Sequence, residues 1–142
     1  MKAMVHSARS GAVALVVGAL FGCSSGDPPP AAQQQTALET GSTCPDMAHP
    51  TITYSGWAQY FFASYCTRCH SSTLTTSDER NGATIHANWD DLPTIRSYTK
   101  EIDSFAAGGP NGINHIMPPN GAMPSDDERI MLGEFLACGA PD

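Results

Sequence analysis

The residues whose types and spacing could do chemistry lie together in Cys66-Thr67-Arg68-Cys69-His70. Two thiols separated by two residues, with an imidazole directly after the second, form the pattern of covalent haem attachment. The thiols add across two vinyl groups and the histidine becomes the proximal iron ligand. A Cys-x-x-Cys can also be a thioredoxin-like redox pair or half of a zinc site, but the first wants a βαβ surrounding and the second wants two more ligands at similar spacing. No second Cys-x-x-Cys occurs, and no strand-helix-strand alternation surrounds residues 66–70.

A six-coordinate iron needs a second axial donor. Met117 is followed by Pro118 and Pro119, a rigid segment that could hold a thioether over the metal without a regular element, and a methionine ligand raises the potential of a His-ligated haem. Met117 is therefore the expected partner of His70. Met123, which also precedes a proline, remains open, as do a second imidazole from His115, His86 or His49 and a vacant sixth position. Met131 falls on an apolar helical stripe and reads as core.

The elements that must position these groups are helical. Tyr54, Trp57, Ala58, Phe61, Phe62 and Tyr65 recur with helical spacing behind Thr53, a candidate N-cap, and deliver Cys66 to the end of the helix. Near the C-terminus Ser125 and Glu128 predict a capping box, Asp126 and Asp127 suit the N-terminal dipole, and Gly139 with Pro141 marks the stop. Met131, Leu132, Phe135 and Leu136 line that helix. Residues 71–88, rich in Ser, Thr, Asn and Asp, read as an irregular loop, and the run from Trp89 to Phe105 reads as one helix with Pro93 in its first turn and Leu92, Ile95, Ile102 and Phe105 inward.

The beginning of the chain reads as targeting and tether. Lys2 and Arg9 precede a short apolar stretch over residues 11–21, and Leu20-Phe21-Gly22-Cys23 resembles the lipobox of bacterial lipoproteins. That resemblance implies a signal peptide over 1–22, diacylglycerol on Cys23 and anchoring at the periplasmic face of a membrane. Ordinary cleavage nearby would instead release a soluble protein. Of five cysteines, one is then lipidated and two hold haem, which leaves Cys44 and Cys138 for a disulfide closing a loop of about ninety residues. In the chain-entropy model such a closure stabilises by about 4 kcal/mol. Residues 23–43, with Pro, Gln and small polar side chains, read as a flexible tether reaching on the order of 25 Å, and 44–142 as one small domain.

Charge excludes some partners. With Lys2 and Arg9 removed, the formal net charge goes from -7 to -9, and no basic cluster remains. Nucleic acid and anionic headgroups are thus poor partners.

An amphipathic helix running into Cys-x-x-Cys-His, a Met-Pro-Pro segment at 117–119 and a closing helix are similar to the small monohaem c-type cytochromes. The resemblance covers about residues 53–138 and implies an all-α, cytochrome c-like fold of three to four helices around one covalent haem c, with the first and last helices packed together. Ala58 and Phe62, eight and four residues before Cys66, match the small and aromatic positions of that packing. It implies electron transfer with redox proteins in or at the membrane, no small-molecule substrate and no enzymatic activity. The alternatives are a haem enzyme with an open sixth site, peroxidase-like or nitrite-reducing, and a fixed cytochrome subunit of a larger oxidoreductase. Two features depart from the family. No proline follows between His70 and Pro93 to supply the carbonyl for the imidazole N–H, and the lysine ring of mitochondrial-type members is absent. Trp89, Tyr98 and Arg96 are candidates to bond the haem propionates.

Overall fold

The computed structural model describes residues 36–142. Lipidation at Cys23, the signal peptide over 1–22 and the first part of the tether lie outside the described residues. Among the described residues the fold is mostly helical, with four α-helices and one two-stranded sheet.

Thr53 caps the first helical segment, its side chain accepting from Gly56 N at 3.1 Å. The chain enters through a π-helical turn over Tyr54–Ala58, in which Ala58 N reaches back to Thr53 O at 3.1 Å, and continues as α1 (Gln59–Tyr65). The aromatic stripe runs on across the join: Trp57 meets Phe61 at 5.1 Å, and Phe61 meets Tyr65 at 5.1 Å. Ala58, Phe61 and Phe62 are buried.

The expected helix across 89–105 is two. α2 (Leu92–Ser97) begins at Asp91, whose carboxylate accepts from Thr94 N, and α3 (Thr99–Ala106) restarts after Tyr98. Tyr98 leaves helical geometry at φ -119 and ψ 21, and its N–H turns to Ile95 O. The break brings the Tyr98 ring to 5.4 Å from Trp89, a tertiary contact that outweighs the local propensity to continue. Ile95 and Ile102 are buried, but Phe105 is 40% exposed.

α4 (Asp126–Ala137) has the expected capping box: Ser125 accepts from Glu128 N, and the Glu128 carboxylate accepts from Ser125 N. It packs on α3 and on the hairpin of β1 (Gly108–Gly109) and β2 (Gly112–Ile113). A Cβ at Gly133 would overlap the Gly108 carbonyl, so α4 approaches the hairpin backbone as only glycine allows. Its contact with α1 runs through side chains: Phe62 meets Phe135 edge to face at 6.4 Å, and Tyr65 Oη donates to Glu128 at 3.0 Å. Cys44 and Cys138 form a disulfide, with Cα atoms 4.7 Å apart.

The tether does not extend to residue 43. Thr40 is fully buried, its N–H and Oγ1 donating to the Asp103 carboxylate at 2.9 and 2.6 Å, while Ser42 Oγ donates to Gly108 O at 2.9 Å. Leu38 and Asn114 exchange two further bonds, Leu38 N to Asn114 Oδ1 and Asn114 Nδ2 to Leu38 O. The folded unit therefore begins upstream of residue 44. Its first segment docks through polar groups, which a search for apolar periodicity does not register.

Candidate functional site

A cavity of about 400 Å³ opens between α1, the 71–88 loop, α3 and the segment after the hairpin. Cys66, Cys69, His70 and Met117 all line it, Phe62, Trp89, Tyr98, Ile102, Phe105 and Pro118 make most of an apolar wall, and Arg68, Arg80 and Glu101 also border it. Side chains separated by about fifty residues in sequence thus share one compartment, of a size that takes a cofactor.

His70 is oriented on three sides. Its Nδ1 donates to Ala87 O at 3.2 Å, its carbonyl accepts from Trp89 N at 2.7 Å, and its ring stacks on Trp89 at 5.1 Å and 22°. With the proton on Nδ1, Nε2 keeps its lone pair for a metal. Burial lowers the imidazole pKa, the Ala87 bond opposes this, and the nearby Arg80 charge lowers it again, so the neutral ring is favoured. The carbonyl that a proline would have supplied is that of Ala87.

Arg80 builds the loop that carries this carbonyl. Its guanidinium donates to the carbonyls of Ser71, Leu74, Ala83, Thr84 and Ala87 and to Asn88 Oδ1 at 2.6–3.2 Å. The irregular segment therefore wraps one buried cation. At its far end Asp90 accepts from Ser71 Oγ at 2.6 Å and from Ser72 N and Oγ, fixing the two residues after His70. Burial alone would raise the Asp90 carboxyl, but these bonds outweigh it and hold it below the ordinary range.

Met117 is placed by its backbone. Its N–H donates to Phe105 O at 2.9 Å, and its carbonyl accepts from Arg129 Nη1 at 2.8 Å; the Met117-Pro118 bond is cis. Arg129 Nη1 also reaches Ala106 O at 2.7 Å and Asn114 O at 2.6 Å. Arg68, between the two cysteines, donates to Asn120 O and Oδ1, linking the thiol motif to the loop after Met117.

The other candidates stand elsewhere. Met123, His115, His86 and His49 are exposed and do not line the cavity. His115 lies 3.5 Å from Asp126 and His49 3.3 Å from Asp46. Arg96 Nε donates to Ala140 O at 3.0 Å, and the side chain is not in the cavity wall, whereas Trp89 and Tyr98 are. Arg80 and Arg129 escape the sequence reading. Arg129 carried a faint signal, since it stands three residues before Leu132 on the buried side of α4; Arg80 carried none beyond being one cation in a polar loop.

The chemistry of the donor set narrows its use. Cys66 and Cys69 are free thiols, and burial pushes the Cys66 thiol up to about 12 against the smaller pull of Arg129 and Arg68. A redox dithiol needs the opposite, a thiolate at neutral pH. Among the described residues no group of three or more His, Cys, Asp or Glu side chains could hold a metal ion, so the four ligands of a zinc site do not assemble around this pair. No protein-family profile, curated protein or solved structure matches the chain.

Proposed function

We propose that this chain is a c-type cytochrome that carries single electrons through one covalently attached haem c. The observation that carries this reading is the shared cavity: two thiols, an imidazole with Nε2 available and a thioether line one apolar compartment. Cys66 and Cys69 would form the thioethers, and His70 and Met117 would bind the iron. Haem bound there supplies a one-electron couple at iron. Phe62, Ile102 and Phe105 would exclude water, and Ala87 O would hold the Nδ1 proton of His70 in both oxidation states.

The sequence reading of Cys23 as a lipid anchor adds the location: a head tethered at the periplasmic face, exchanging electrons with membrane proteins whose docking surface is basic or apolar, since this chain is acidic. One observation favours a second reading. Met117 is 37% exposed, so a displaceable sixth ligand and a haem enzyme would follow if exogenous ligands enter.

Optical spectra of the matured protein in both oxidation states separate the two. A low-spin ferric spectrum with the far-red methionine-to-iron band, lost in Met117→His and kept in Met123→Leu, is the expected result. A high-spin spectrum that shifts on adding cyanide or peroxide would overturn electron carriage in favour of the enzyme.

A further inference from the structure

Arg80 and Arg129 are each only 1% exposed, and among the described residues neither makes an ion pair. A buried cation with no carboxylate in contact is costly, and here it occurs twice in one small domain, though Asp126 and Glu128 act on Arg129 from further away. Arg80 lines the cavity, and Arg129 lies behind its Met117 wall. Arg80 Nη2 donates to Ala87 O at 2.7 Å, the oxygen that also accepts His70 Nδ1, and Arg129 Nη1 donates to Met117 O at 2.8 Å. Holding backbone carbonyls explains the hydrogen bonds but does not call for a full charge at each site.

We infer, on the haem reading above, that Arg80 and Arg129 are positioning residues that would raise the reduction potential, one from behind the Ala87 carbonyl and one from behind the Met117 carbonyl. Reduction of ferric iron by one electron from a redox protein lowers the positive charge at the metal, so a fixed cation in low dielectric favours the ferrous state. Arg80 acts in a second way. By sharing Ala87 O with the Nδ1 proton, it weakens that hydrogen bond and makes the imidazole a poorer donor to ferric iron.

Redox titration of the matured holoprotein tests this through Asn88, whose Oδ1 accepts from Arg80 Nη1 at 3.1 Å. Asn88→Asp keeps the shape and the bond while compensating the charge; it should move the electron equilibrium about tenfold toward the oxidised form, about 59 mV for one electron. Asn88→Ala loses the bond but keeps the charge, and should stay within about twofold of wild type. Arg129→Gln should shift the equilibrium in the same direction as Asn88→Asp, and Arg129→Lys should restore it. An Asn88→Asp holoprotein with a wild-type spectrum and a potential within about twofold of wild type would overturn the proposal. So would an equal shift in Asn88→Ala, since lost structure would then be the cause. Haem remaining on the denatured wild-type chain establishes the cofactor independently; its absence removes the haem reading itself, whereas an unmoved potential removes only the role of the arginines.

Discussion

On the His70 side of the cavity the side chain itself is gripped, by a hydrogen bond at Nδ1 and a stacked Trp89, within a loop wound around Arg80. On the Met117 side the backbone is gripped, at N–H and carbonyl, and the residue is left partly exposed. The difference teaches that the His70 imidazole is fixed in direction by the fold alone, while Met117 is fixed in place through its backbone. A site built this way can close its far side by moving one flexible side chain, with little disturbance of the fold.

The largest break in that comparison should come from Arg80→Met. Six acceptors each lose one donor, although Ala87 O keeps His70 Nδ1, Ser71 O keeps Leu74 N and Thr84 O keeps Ala87 N; a cost of roughly 3 kcal/mol is expected in denaturant unfolding. A cost below about 1 kcal/mol would show that the loop holds itself. Arg129→Met should cost less, roughly 2 kcal/mol, because three carbonyls lose one shared donor; it should also weaken the methionine-to-iron band before His70 is affected. If the two variants prove equal, the asymmetry between the two sides is not energetic.

Met117→Ala should change the stability of the haem-free protein by less than about 1 kcal/mol, since the side chain is partly exposed, yet abolish the low-spin spectrum of the holoprotein. A large loss of apo stability would mean that the thioether is a packing group. The smallest effect is on acid stability. The Asp90 carboxyl lies below its ordinary value, so its contribution is fully present above about pH 4 and is lost as pH falls through the lower folded value. Asp90→Asn should flatten that part of the acid transition, followed by far-ultraviolet circular dichroism; an unchanged curve would remove Asp90 from the set of groups that fix the His70 loop.

Several of these features are legible in the residues. Thr53 and the Ser125–Glu128 box signal helix starts because capping acts across three residues, and the aromatic stripe before Cys66 signals a buried face because helical periodicity is local. The Cys44–Cys138 pair follows from counting the other cysteines away. The split at Tyr98, the docked segment from Leu38 and the π-helical turn are not legible. Each is set by a distant partner: Trp89 for the Tyr98 ring, Asp103 and Asn114 for residues 38–40, and Pro141 O, which accepts from Tyr54 N at 2.7 Å at the head of the turn.

By itself the sequence determines the set of chemical groups and the spacing that makes Cys66, Cys69 and His70 one motif, because those groups act within five residues of one another. Only the tertiary structure decides that the Ala87 carbonyl orients His70, that Met117 and not Met123 lines the cavity, and that buried Arg80 and Arg129 stand behind the Ala87 and Met117 carbonyls. The physical reason is that hydrogen bonds to backbone carbonyls leave no trace in residue identity. Any residue offers such an oxygen on its backbone, and folding selects which ones meet a donor.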